Sequence, residues 1–319
     1  MLIFFTVLSC FLMLGCASQK LSVSDKKKMQ AKTFVITGAS SGFGKGVALE
    51  LGRNHANVVL AARRDSLLQI IAKQVIAFGG TALVVKTDVS NYSDMEHLAD
   101  TAIWRYGKVD VWINDAGTAS IGPFWDIPIK EHERVIDVNL KGVFYGSYQA
   151  IAIFRRQGYG TLVNLGSVES EVPTAYQSSY SATKAAVRNF GSVLYQELHL
   201  GGYDKIKVVT IMPWASNTPF WQHLANHSGG TVSMAAMDNP QKIVTSILHA
   251  SVNNKRDVPV GWKARLAVVS HRMFPRLTEH YAAKLARKYQ YKAGPPKPAS
   301  SGNLFHPMQE GAGTEKDKE

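Results

Sequence analysis

Short apolar runs alternate with helical patterns six times between residues 32 and 214. KTFVITG (32–38) ends in glycine, and KGVALELGRN, with helical apolar spacing, follows shortly after it. NVVLAAR (57–63), TALVVKTDV (81–89), VDVWINDAG (109–117), TLVNLGS (161–167) and IKVVTIMPW (206–214) repeat the strand pattern, with helical stretches between them. Near-continuous apolar runs suit strands covered on both faces. The expectation is therefore an α/β domain, a doubly wound parallel sheet (Rossmann fold) with helices on either side. Ligands of such sheets bind at the carboxyl ends of the strands, where the strand order reverses. There is no internal repeat, and one catalytic domain over 32–260 accounts for most of the 319 residues.

Two local patterns place chemistry at those strand ends. TGASSGFG (37–44) joins the first strand to the first helix, with Gly38, Gly42 and Gly44 spaced G-x-x-x-G-x-G around Ser40, Ser41 and Phe43. A glycine-rich turn lets phosphates approach the backbone, and the helix beyond it offers unpaired N–H groups and a positive dipole end. SYSATK (179–184) lies in a helical run, so Tyr180 and Lys184, four residues apart, share a face. Such a pair is common on packed helices and by itself is no site. A phenol titrates near about 10, and a neighbouring ammonium stabilises its anion, which is what a proton donor to a carbonyl oxygen needs at neutral pH. Ser167, at the end of the fifth strand, can hydrogen-bond that oxygen as charge develops.

These motifs, in this order, closely resemble the short-chain dehydrogenase/reductase family over residues 32–260. TGASSGFG is similar to the family's cofactor loop, and Asp88–Val89 to its adenine contact. NDAG (114–117) resembles the family's NNAG turn, placing Asn114, Ala116 and Gly117 against the cofactor, with Asp115 a departure. Asn139 in VNLKG stands where the family has the helical asparagine that anchors a proton-relay water. Ser167 precedes Tyr180 by 13 residues, as the family's serine commonly does. The resemblance implies that Lys184 also holds the nicotinamide ribose, that Pro213 and Thr218 flank the carboxamide, and that the protein forms a homo-oligomer. Trp214, following Pro213, departs from the family's usual glycine.

The second strand ends in LAARR, with Ala62 where an NAD-user has an acid, followed by Arg63 and Arg64. A guanidinium binds a 2′-phosphate that a carboxylate would repel, so NADP(H) is expected over NAD(H), with Arg63 its reader. Phe220, Trp221, Met234 and Met237 suggest a bulky, apolar carbonyl or alcohol substrate, while Glu169 and Glu171 could read a polar group on it. The alternative is a nucleotide-binding sensor or interaction module without turnover, which would be expected to lose the Ser167, Tyr180 and Lys184 set retained here.

The only cysteines are Cys10 and Cys16, and no histidine cluster occurs, so neither a disulfide core nor a metal centre is expected. The net charge of +12 is concentrated in two flanks, +4 over 20–32 and +8 over 255–292, around a nearly neutral domain. That argues against nucleic acid and for a membrane surface as partner. Residues 1–17 are an apolar anchor or signal-like segment, and 18–31 a basic linker. An anchor with the catalytic domain facing the cytoplasm is expected, from the lysines after it and from the cytosolic supply of NADPH. A bacterial lipoprotein with Cys16 as the lipidated residue, or export, is the alternative. Residues 261–292 form a basic amphipathic helical extension with stripes at Trp262, Leu266, Val269 and Met273, and at Leu277, Tyr281, Leu285 and Tyr289. They either pack on the domain or lie on lipid. Residues 293–319 are expected to be disordered, with SGNLFHP (301–307) the one stretch able to dock.

Overall fold

The computed structural model describes residues 20–315 except 235 and 254. The apolar segment 1–17 and the end of the tail, 316–319, lie outside the described residues. Helix α1 (Val23–Met29) precedes a core in which strands and helices alternate: β1 (Thr33–Thr37), α2 (Gly42–Arg53), β2 (Asn57–Ala62), α3 (Asp65–Ala77), β3 (Thr81–Lys86), α4 (Tyr92–Tyr106) and β4 (Val111–Asn114). A short strand β5 (Ser120–Ile121) leads to α5 (Ile129–Ile136) and α6 (Gly142–Gln157), joined through a π-helical turn, Asp137–Lys141. Then come β6 (Gly160–Leu165), the long α7 (Ser178–Leu200), β7 (Ile206–Pro213), α8 (Phe220–His223) and β8 (Ala225–Asn226). The final elements are α9 (Pro240–Asn253), β9 (Asp257–Val260), α10 (Gly261–Met273) and α11 (Pro275–Gln290).

The main sheet has the order β3-β2-β1-β4-β6-β7-β9, and all its pairings are parallel. The chain builds outward from β1 to β3, then crosses back to lay β4 on the other side of β1. The order therefore reverses between β1 and β4, and that is where a crevice opens at the carboxyl ends. Side-chain alternation explains the two layers. Phe34 and Ile36 of β1 pack on α2, α3 and α9 through Leu51, Leu68 and Ile247, whereas Val35 faces Met95, Leu98 and Phe154 on α4 and α6. Each such side chain stabilises the fold by roughly 1.5–3 kcal/mol relative to exposure. This is the doubly wound parallel sheet that the apolar runs predict.

In four places the structure adds to the expectation or departs from it. A seventh strand, β9, is added at the sheet edge, where Pro259 is tolerated because only β7 needs pairing. The segment expected to be a linker contains α1, fixed by a capping box between Ser22 and Asp25 and tied to α9 through hydrogen bonds of Asp25 with His249 and Asn253. On α10, Ala264 and Val268 face the domain and the predicted stripe points outward, with Trp262, Leu266, Val269 and Met273 each more than half exposed. Finally, residues 293–315 are not a free tail. They run back over the carboxyl ends of the strands, with Ser300 paired to Asn226 and Leu304 fully buried beside Val135 and Ala225.

Candidate active site

Backbone geometry at the switch point explains the first glycine motif. Gly38 has φ +73°, and a Cβ there would lie 2.8 Å from the Ala116 nitrogen, so the loop and the NDAG turn touch backbone to backbone. A Cβ at Gly44 would lie 2.6 Å from the Gly38 carbonyl, which keeps the start of α2 close to the loop. This cradle opens into a cavity of 530 Å³ that continues to the substrate side. Its size and its glycine floor fit an extended dinucleotide.

Most of the residues expected at the site line this cavity. Gly38, Ser40, Ser41, Gly42 and Phe43 form one wall, and Arg63, Asp88 and Val89 stand at one end. Ala116 and Gly117 form the floor beside Ser167, Tyr180 and Lys184, with Pro213 and Thr218 opposite. Three of the expected residues are not in the lining. Gly44 lies behind the loop. The Asn114 side chain crosslinks β4 to β6 by donating to Asn164 Oδ1 at 2.9 Å, and it accepts from Trp112 at 2.9 Å, a structural role. Asn139 is fully buried in the π-helical turn, donating to the Thr118 carbonyl and accepting from its N–H, both at 2.9 Å. It is still near the centre: a Cβ on Gly117 would lie 3.6 Å from both Asn139 Oδ1 and Lys184 Nζ. An insertion in a helix at this point is a common device for re-aiming a side chain at a functional site.

Helix α7 carries Tyr180 and Lys184 on one face, the ammonium 5.6 Å from the phenol ring centre. Lys184 donates to the Leu165 carbonyl at 2.7 Å, which fixes it beneath the end of β6. Ser167 begins a short 3-10 turn, accepting from the Glu169 N–H at 3.2 Å. Two carboxyls complete the cluster. Asp115, the departure from the family's asparagine, receives the Gly44 N–H and faces Lys184. Glu169 is buried, and its Oε2 has no protein partner.

Burial dominates the electrostatics. It lowers Lys184 to about 8, against the attraction of Asp115 and Glu169, which hold the proton on. It raises Asp115 to about 7 and Glu169 to about 8, each opposed by Lys184. Tyr180 is pushed above the ordinary phenol range by burial and by Glu169, with Ser167 close enough to hydrogen-bond it and pull the other way. The lowering of Tyr180 that its helical spacing from Lys184 suggests is not seen: burial and Glu169 set the direction, and the opposing pull comes from Ser167. Tyr180 is a held proton, ready to be given up when negative charge appears on a neighbouring oxygen.

Several further groups line the cavity, some of them noted in the sequence for other reasons. Arg64 donates to Ser40 Oγ and Ser41 Oγ at 3.1 and 2.7 Å, which makes it part of the glycine loop. Trp214 lines the cavity, and so do Thr278 and Leu285 of α11. The tail contributes Asn303, Leu304 and Met308. Among the described residues no group of three or more His, Cys, Asp or Glu side chains could hold a metal ion.

A family model for short chain dehydrogenase matches residues 32–229. An uncharacterized oxidoreductase of Listeria monocytogenes is 40% identical over 233 residues, covering 72% of this chain and 94% of that protein. A 3beta-hydroxysteroid dehydrogenase of Eggerthella lenta is 38% identical over 194 residues, covering 60% of this chain and 73% of its own. A solved short chain dehydrogenase/reductase from Burkholderia phymatum, in complex with NAD, superposes with a TM-score of 0.72 over 86% of this chain and 99% of that one. At 24% identity that last likeness concerns the fold alone. With its glycine cradle, its Ser167, Tyr180 and Lys184 cluster and these matches, the chain belongs to the short-chain dehydrogenase family, oxidoreductases that act on small molecules with a nicotinamide dinucleotide, NAD or NADP.

Proposed function

We propose that the protein interconverts a carbonyl and a secondary alcohol on a bulky, apolar substrate, with NADP(H) preferred. The convergence of Ser167, Tyr180 and Lys184 on one cavity wall, facing the glycine loop, is the observation that carries this reading. A bound nicotinamide dinucleotide would supply or accept the hydride. Gly38, Gly42 and the start of α2 would hold its phosphates, and Lys184 its ribose. Ser167 orients the carbonyl oxygen, and Tyr180 donates its proton to that oxygen as charge builds there. The Lys184 ammonium stabilises the phenolate left behind, and Asn139 holds the Thr118 backbone and Lys184 surroundings in register. In the alcohol-to-carbonyl direction the phenolate takes the proton back. A Tyr180 that holds its proton through neutral pH is in the form that donates to a carbonyl oxygen.

Arg63 and Arg64 at the end of β2, with no carboxylate at Ala62, support NADP(H). Trp214, Phe220, Trp221 and Met234 give the substrate side an apolar wall, and Glu169 brings one polar side chain to the lining. A panel of ketones offered with NADPH and NADH, followed by absorbance loss, tests the reading. Tight NADPH binding with no turnover on any of them would instead favour the non-catalytic sensor.

The outward stripe of α10 continues onto α11, where Phe274, Leu277 and Tyr281 are also more than half exposed, and Arg265, Arg276 and Lys284 flank it. An apolar face rimmed by cations suits an anionic bilayer surface. The same two helices wall the substrate cavity, so lipid contact would set its mouth near apolar substrates. Among the described residues no helix is long and apolar enough to cross a membrane. The anchor proposed for residues 1–17, with the catalytic domain in the cytoplasm, completes this arrangement. For the chain without residues 1–17, sedimentation with phosphatidylserine vesicles, lost on Trp262→Glu with Leu266→Glu, is the expected result.

A further inference from the structure

The donor groups that line the nucleotide groove are occupied by the chain's own tail. Arg63 donates to the carbonyl oxygens of Asn303, Leu304 and Phe305 at 2.6, 3.1 and 3.4 Å. Arg64 donates to those of Met308 and Glu310 at 3.0 and 3.3 Å. The N–H of Gly42, in the glycine loop, donates to the Gly313 carbonyl at 2.9 Å, and Lys45 on the first turn of α2 to that of Ala312 at 2.9 Å. In every case a backbone carbonyl presents its oxygen to an arginine, a lysine or an N–H around the glycine loop and the end of β2. These are the groups that would otherwise meet phosphate oxygens.

The segment is seated by specific features, not loosely draped. Leu304 is fully buried against Val135 and Ala225. Gly302 has φ +49°, and a Cβ there would lie 2.3 Å from the His223 carbonyl, so this position accepts glycine alone. Asn303 donates its N–H to that same carbonyl at 2.8 Å and accepts from Thr118 Oγ1 at 3.0 Å. Ser301 donates to the buried Glu131 at 2.8 Å. The Ser-Gly-Asn-Leu-Phe stretch is therefore the docking element, and the carbonyls of 303–313 follow from its placement.

We propose that residues 301–313 are an autoinhibitory strap that competes with the dinucleotide for the arginines and the glycine loop. A neutral carbonyl is a weaker partner for a guanidinium than a phosphate is, so the cofactor can displace it. The strap is tethered, however, and re-forms without a diffusional search, so apparent affinity falls by the fraction of molecules with the groove open. A groove open in about a tenth of molecules binds about tenfold more weakly than its intrinsic affinity. The strap meets both the 2′-phosphate end and the glycine loop, so it opposes NADH as well as NADPH. That separates it from the NADP preference proposed above, which concerns the ratio of the two.

The test uses the full chain. Leu304→Asp puts a charge in the apolar socket, and Gly302→Val cannot take the backbone angle or the space. Both should tighten NADPH and NADH, read by nicotinamide fluorescence, about tenfold, with faster association. In the unmodified chain, saturating NADPH should speed chymotryptic cleavage after Phe305. Unchanged or weakened binding in both variants would overturn the proposal. Protection of Phe305 by NADPH would also overturn it, because the segment would then be a wall that closes over the cofactor. An NADPH-to-NADH ratio near one, with both affinities still raised in the variants, would remove only the Arg63 reading.

Discussion

Asp115→Asn tests the electrostatics of the site more directly than removing a reacting group. The carboxyl is desolvated, its folded value near 7 against 3.8, and it stands by Lys184, whose own value burial has brought down to about 8. Lys184 lies about 2.5 units below its ordinary value, which corresponds to roughly 3 kcal/mol of net penalty on the ammonium. Asp115 is first among the attractions limiting that penalty. Asparagine keeps the shape and removes the charge, so Lys184 should lose its proton at lower pH. If the ammonium supports phenolate formation, the high-pH fall in ketone reduction moves from about 8 to about 7, one unit being about 1.4 kcal/mol. Stability gives a second reading with a defined sign. A carboxyl whose folded value is raised binds more protons folded than unfolded, so its stabilising proton is lost as pH rises from about 4 to about 7. The mutant should therefore gain on the wild type across that window, by about 4 kcal/mol at most and less to the extent that Lys184 compensates. Rate profiles over pH 5–10 and urea unfolding at pH 4 and pH 8 are the assays. A high-pH limb that does not move, with a mutant-to-wild-type stability difference equal at both pH values, would refute the account.

Tyr180→Phe should abolish turnover, at least a thousandfold in kcat, while NADPH affinity stays within about threefold by fluorescence titration. Lys184→Ala should lower both, since it serves the phenol and the ribose. Arg63→Ala should weaken NADPH far more than NADH, and equal losses would leave the arginine without a role in choosing the cofactor. Gly38→Ala should lower the melting temperature and weaken either cofactor, because φ +73° and the Ala116 backbone leave no room for a methyl.

The sheet was legible because a strand buried on both faces must be apolar along its length, and β1, β2, β4, β6 and β7 are. Edge strand β9 escapes that rule: DVPV is short and holds a proline, and only its partner on one side constrains it. The site was legible where a residue type is required by chemistry at a fixed spacing, as with Tyr180 and Lys184 on α7 or Gly38 in its turn. Asn114 shows where spacing misleads, since the motif was read correctly but its side chain serves the sheet. Asp115 and Glu169 show another limit, because a carboxyl's protonation depends on neighbours that only the fold brings together.

The two C-terminal segments were only partly legible, for opposite reasons. On α10 the apolar stripe was easy to see, but periodicity says only that a face is distinct, not what covers it. The domain takes Ala264 and Val268, on the side of α10 that meets β9 and β7, and the stripe with Trp262 and Leu266 is left exposed. In the tail, composition reads side chains, and Pro, Ser, Gly and Lys promise no core. Yet most of its polar contacts with the groove are made by backbone carbonyls, which every residue possesses and composition cannot reveal. Only Leu304 and the glycine at 302 leave a sequence trace of the docking. A low-complexity segment can therefore hold a groove of arginines and N–H groups firmly. Its grip depends on a few seating residues, and substituting those two positions should release far more contact than their own side chains make.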